Sequence, residues 1–198
     1  MNTPTHALVA LAALSKKDQP KRNWIILIGA LIPDLVIFIW APWQRWIVGR
    51  DWGAIWDTHY FEPPMQTAIA LFNSVPIFAA LLFIGWWQRT SRWGVLLILF
   101  SLAALLHIAL DLPVHAHDAY RHFWPLSEWR FYSPISYWET DLHARWVSLI
   151  EALIVLMSVV VLWVRFPKRW VRSILAILLI LTAAATLAQQ LAVIGSAR

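Results

Sequence analysis

Cysteine is absent from the chain, so neither a disulfide nor a thiolate metal site can form. Charge is scarce too: Asp, Glu, Lys and Arg make up only 14% of the 198 residues, against about a quarter in an ordinary soluble domain. That excludes the usual water-facing surface. There is no Gly-rich phosphate loop, no internal repeat and no low-complexity tract. The opening Met1-Asn2-Thr3-Pro4-Thr5-His6 lacks a basic stretch, so no cleavable signal peptide is expected.

In place of charge the chain carries 60% hydrophobic residues and a mean hydropathy of +0.61. Its pI near 10 invites a nucleic-acid reading. However, the basic residues sit in short clusters between apolar runs, as in membrane loops, so no nucleic-acid partner is expected. Five runs approach the roughly 20 apolar residues that a spanning helix needs: Trp24–Trp40, Thr67–Trp87, Trp93–Leu112, Trp146–Val164 and Ser173–Ile194. Pro33 and Pro76 predict kinks in the first two. A shorter run, Ala7–Leu14, follows Thr3 as N-cap and Pro4 as first helical residue; it predicts a half-buried or tilted helix. The expected fold is therefore all-α. Residues 1–198 form a single integral membrane domain, a polytopic bundle of five spanning helices plus the short N-terminal one.

Loop charges give the orientation. Lys16, Lys17, Lys21 and Arg22, then Arg89 and Arg92, then Arg165, Lys168, Arg169 and Arg172 fall on one side of a five-span chain, which the positive-inside rule makes cytoplasmic. The other two loops, about 41–65 and 113–145, hold seven acids against five arginines. The second of these is the expected extracytoplasmic loop carrying part of the site. Tryptophans at the span ends read as interfacial anchors.

Ionisable side chains inside spans are expensive and usually functional. Here they are Asp34, His107, Asp111 and Glu151. His107 and Asp111 are four apart and share a helical face. With His115, His117, Asp118 and His122 they place four of the seven histidines and two carboxylates in sixteen residues. Imidazole and carboxylate are the usual ligands of zinc, manganese or iron, so a divalent ion is the expected cofactor, zinc first. The alternative is an interhelical hydrogen bond between His107 and Asp111 with the later histidines in an exposed loop. Each ligand histidine also needs an acceptor for its other nitrogen, which Asp118 or Glu151 can supply. Glu151 can equally pair with Arg145 or reach the interface, and His59 and His143 are weaker candidates.

Four motifs together resemble a known family: Asn2-Thr3-Pro4-Thr5-His6, Gly29-Ala30-Leu31-Ile32-Pro33-Asp34, Leu106-His107-Ile108-Ala109-Leu110-Asp111 and Phe123-Trp124-Pro125-Leu126. The chain is similar over residues 2–143 to the LexA-binding, inner-membrane-associated metal-dependent hydrolases, and more distantly to zinc-dependent phospholipase C proteins. The stretch from His115 to Trp138 also resembles a subgroup labelled cobalamin-biosynthesis-like. The resemblance implies a bacterial inner-membrane location and the ligands His6, Asp34, His107 and Asp111. The family's His-Arg-Gly-x-x-His segment has no counterpart near Leu71–Pro76, so a two-metal site would need His115, His117 or His122 as replacements.

The activity this predicts is hydrolysis of a membrane-embedded or amphiphilic phosphoester, with the metal acidifying a water and polarising the phosphoryl oxygen. Asp118 or Glu151 would serve as general base, and Arg121 or Arg130 would hold the phosphate. The aromatic loop Phe123–Trp138 would cover the site, unless it simply packs in the headgroup region. The alternatives are a metal or proton transporter, and a scaffold whose polar cluster only locks helices together.

Overall fold

In a bilayer every backbone polar group must find a partner within the protein, and this chain meets that demand with helices. The computed structural model describes residues 1–196, with side chains to Leu191. Helices take up 74% of the 198 positions, and no strand occurs among the described residues. The helices are α1 (Thr3–Leu14), α2 (Pro20–Trp46), α3 (Trp52–Asp57), α4 (Pro63–Phe72), α5 (Val75–Trp87), α6 (Arg92–Asp111), α7 (Ala144–Arg165) and α8 (Arg169–Ser196). Five segments are long and apolar enough to cross a membrane: Pro20–Trp46, Pro63–Trp87, Arg92–Val114, Ala144–Arg165 and Arg169–Leu191. The chain thus has the make-up of a multi-pass membrane protein, as its hydropathy predicts.

The second span is not kinked at Pro76 but broken before it. Asn73 ends α4, and Ser74 opens α5 by accepting from the Ile77 amide at 3.2 Å. Pro76 falls in the first turn of α5, where a missing N–H does no harm. The Asn73 amide nitrogen donates to Pro33 O at 3.0 Å and Ile69 O at 3.2 Å, tying the break to α2 beside Asp34. The N-cap of α1 is also one residue earlier than expected, at Asn2. Thr3 is thereby free to donate its hydroxyl to Asp34.

Two contacts set the geometry of the core. Gly29 of α2 lies against α6 so closely that a Cβ there would stand 2.3 Å from Phe100 O; small residues at membrane helix crossings allow such approach. α1 then occupies the space among α2, α6 and α7. On one side Ala10 packs with Ile26, Ala30, Leu99 and Ala103; on the other Leu8 packs with Val155, Val159, Leu162 and Leu175. α8 lies outermost, packed on α7, with Ile177, Ile180, Leu181 and Leu187 exposed.

The 115–143 loop folds back over one end of the bundle. Ser133 N donates to His115 O at 3.0 Å, Tyr137 N to Val114 O at 3.1 Å, and Val75 N to His122 O at 2.8 Å. Phe123, Leu126, Trp129, Tyr132 and Trp138 stay exposed on it.

Candidate metal centre

The start of α1, the middle of α2 and the end of α6 meet beneath this loop. His6 and His107 stack, ring centroids 3.6 Å apart and 16° from parallel. Asp111 is the hub: its Oδ1 lies 2.9 Å from His6 Nε2, and its Oδ2 3.1 Å from His107 Nε2. The Met1 amine donates to the same Oδ1 at 2.5 Å. Asp34 Oδ1 is 3.5 Å from His107 Nε2. His6, His107 and Asp111 are each 1% exposed, and one ligand atom from each falls within 4.8 Å of the other two.

Donor and acceptor roles at the two histidines bear on what this arrangement can hold. His107 Nδ1 lies 2.7 Å from Ala30 O. A carbonyl only accepts, so the ring carries its proton on Nδ1 and Nε2 is left facing two carboxylates. That position is filled either by a second proton or by a cation. An imidazole held this way by a backbone carbonyl is the usual preparation of a metal ligand. His6 is more telling. Its Nε2 is near Asp111 Oδ1, yet out of hydrogen-bond alignment, and neither ring nitrogen has a hydrogen-bond partner despite complete burial. A buried polar atom without a partner is costly; coordination through Nε2 would remove that cost at this nitrogen, while Nδ1 has no acceptor. Two imidazoles and a carboxylate, with Asp34 beside them, suit zinc, manganese or iron.

The other predicted site residues take different places. His115 bridges two carboxylates, Nδ1 to Asp118 Oδ2 at 2.9 Å and Nε2 to Asp111 Oδ2 at 3.5 Å. Burial pushes its imidazole down, but Asp111 and Asp118 outweigh this and hold it up at about 9. Its two nitrogens thus link Asp111 to Asp118 beside the cluster. Asp118 Oδ2 also accepts from Trp138 Nε1 at 3.2 Å, while its Oδ1 is buried and unpartnered. His117 is on the rim, bonded to Glu139, which raises its pKa; it is not brought to the cluster. His122 lies one ring away from His115, through Tyr120 (centroids 4.5 and 5.7 Å), with Nδ1 3.1 Å from Asn73 O.

Glu151 faces the first turn of α1 instead of the histidines or Arg145. It accepts from Asn2 N at 2.8 Å, Asn2 Nδ2 at 3.0 Å and Thr5 Oγ1 at 2.5 Å. Arg145 stacks on Trp146. Arg130 donates to Gln66 Oε1 at 3.0 Å and Ala119 O at 2.5 Å, and Arg121 to Glu128 and to Thr67 Oγ1 at 3.0 Å. Both arginines thus flank the first turns of α4. Two grooves open on the apolar surface, one of Val160, Val161, Val164 and Arg165, the other running from Leu35 to Trp43 with Phe72. Neither is lined by the cluster.

Sequence reasoning missed Asn2, Thr3, Thr5, Asn73 and Arg165. Asn73-Ser74 was readable as a polar pair inside an apolar run. The role of Thr3 and Arg165 depends on tertiary neighbours and left no local sign.

Fold and site together define a multi-pass helical bundle with a buried histidine–aspartate cluster at one end. No family model, curated protein or solved structure matches this chain, so the family resemblance rests on its short motifs.

Proposed function

We propose that the protein is a metal-dependent hydrolase of the bacterial inner membrane, acting on a phosphoester of a lipid-like molecule at the extracytoplasmic leaflet. The observation that carries this reading is His6: fully buried, unpartnered at both ring nitrogens and stacked on His107 against Asp111. His6, His107 and Asp111 would hold the ion, with Asp34 beside them. A divalent ion there supplies Lewis acidity toward a phosphoryl oxygen and an acidified water.

The chain's own residues supply the rest. Asp118, with one oxygen anchored by His115 and Trp138 and the other unpartnered, suits the general base. Arg121 and Arg130 suit the phosphate. The exposed aromatics of the 123–138 loop suit contact with headgroups and acyl chains. The proposed orientation is supported by the three basic loops, which lie at the other ends of the spans from the cluster. A transport reading is less well supported, because the ionisable cluster sits at that one end.

The test is hydrolysis of a phospholipid and of an activated aryl phosphodiester by detergent-purified protein loaded with zinc or manganese. Turnover that needs the metal and is lost in His107→Ala/Asp111→Ala supports the reading. Protein of verified metal content that turns over neither class refutes it.

A further inference from the structure

α1 carries His6 but is poorly equipped to hold it in place. Its 12 residues extend about 18 Å, well short of a hydrocarbon core of about 30 Å, so the bilayer does not fix its height. α7 does. At the first turn of α1, Glu151, 2% exposed, accepts from the Asn2 amide, the Asn2 side chain and the Thr5 hydroxyl. At the last turn, Arg165 Nη1 donates to Leu11 O at 2.9 Å, Ser15 O at 3.0 Å and Ser15 Oγ at 2.9 Å. Fourteen positions of α7 separate these two residues, about 21 Å of helix, which is close to the length of α1 with its caps. The signs also match: the acid meets the positive end of the α1 dipole and the base its negative end.

We propose that Glu151 is a positioning residue. It acts through the first turn of α1 to set His6 against Asp111 and Thr3 against Asp34, and Arg165 holds the other end in register. Every hydrogen bond to the Glu151 carboxylate comes from Asn2 or Thr5. Its work is acceptance of those bonds, which glutamine can largely reproduce. In Glu151→Gln the remaining oxygen serves the Asn2 amide and Thr5, and a turned Asn2 side chain accepts from the new amide nitrogen. Glu151→Ala removes all three. The effect on cation affinity rests on the His6–His107–Asp111 reading above; the effect on α1 does not.

Two readouts on the full-length, detergent-purified chain keep these apart: titration of the metal-stripped protein with Co2+, followed by its visible spectrum, and hydrogen–deuterium exchange of the α1 amides. In Glu151→Ala, cobalt affinity should fall about 10- to 100-fold, as for residues that hold a metal-ligating histidine from behind, and the spectrum should approach that of His6→Ala. The α1 amides should exchange about tenfold faster, with α6 unchanged as the control for folding. Glu151→Gln should restore both. Wild-type cobalt binding and slow α1 exchange in Glu151→Ala would overturn the proposal. So would a Glu151→Gln chain that keeps α1 protected yet binds cobalt as weakly as Glu151→Ala, because the charge would then act on the site directly. If the wild type takes up no cobalt, the cation reading falls, and α1 exchange alone decides the role of Glu151.

Discussion

α1 and α8 are both apolar helices, and they sit at opposite extremes of the molecule. α8 has the length and hydropathy of a span, packs on α7 and leaves most of its apolar side chains exposed. α1 is too short to span, touches α2, α6 and α7, and buries Thr5, His6, Leu8 and Ala10. Lipid covers α8 at no penalty, because hydrocarbon is as apolar as leucine. α1 stays in place through polar bonds at both ends and through Asp111. In this bundle, then, hydropathy says which segments are in the membrane, and buried polar contacts say which one builds the site.

Removing the hub should bring the two helices closest in behaviour. Asp111→Ala leaves three buried imidazoles without their shared carboxylate, and losing one partner of a buried charged cluster costs about 3–5 kcal/mol. Unfolding in mixed micelles should show that loss, with faster amide exchange in α1 and none of the change in α8. A loss under about 1 kcal/mol would mean that the cluster is solvated and α1 is held by packing alone.

Gly29→Ala tests the cradle in which α1 lies. A Cβ 2.3 Å from Phe100 O forces α2 and α6 apart, and overpacking of this kind costs about 1–3 kcal/mol. The same variant should weaken metal binding, because it separates Asp34 from His107. Unchanged stability would show that the two helices do not approach as described.

At the rim the contrast can be sharpened with pH. Burial lowers the His122 pKa below the ordinary histidine value, against the raising effect of its bond to Asn73 O. The unfolded chain therefore binds the proton more readily than the folded one. The stability tied to neutral His122 is complete above about pH 6.5 and is lost as pH falls from there through the lower folded value. Melting curves between about pH 7.5 and 5 should show this slope. His122→Gln should flatten it, and an equal slope in that variant would assign the effect elsewhere.

The smallest effect belongs to α8. Ile180→Ala removes a side chain that is 65% exposed and should change stability by no more than about 0.5 kcal/mol. A larger loss would reveal a protein partner on that face in place of lipid.

Hydropathy alone made the five spans legible, and their ends extend by a few residues where Pro20 and Trp46 continue the helix past Trp24 and Trp40. The His107/Asp111 pair was legible because an i, i+4 spacing fixes both on one face whatever surrounds them. The break at Asn73 carried a sign, the polar pair Asn73-Ser74, but Pro76 beside it gives the stronger local signal. His115 carried the same ligand chemistry as His107 on paper, and each faces two carboxylates in the fold, Asp111 and Asp118 for His115, Asp34 and Asp111 for His107. What sets His107 apart is its stacking on His6, which only the fold supplies. Glu151 was visible as an intramembrane acid, but its partners Asn2 and Thr5 lie nearly the whole chain away.

The most direct test of the central claim is elemental analysis of the detergent-purified protein, wild type beside His107→Ala/Asp111→Ala. Stoichiometric zinc, manganese or iron is expected in the wild type, with its loss in the double variant. A wild type that holds no metal, even after reconstitution, would contradict it and leave the cluster as a lock between helices.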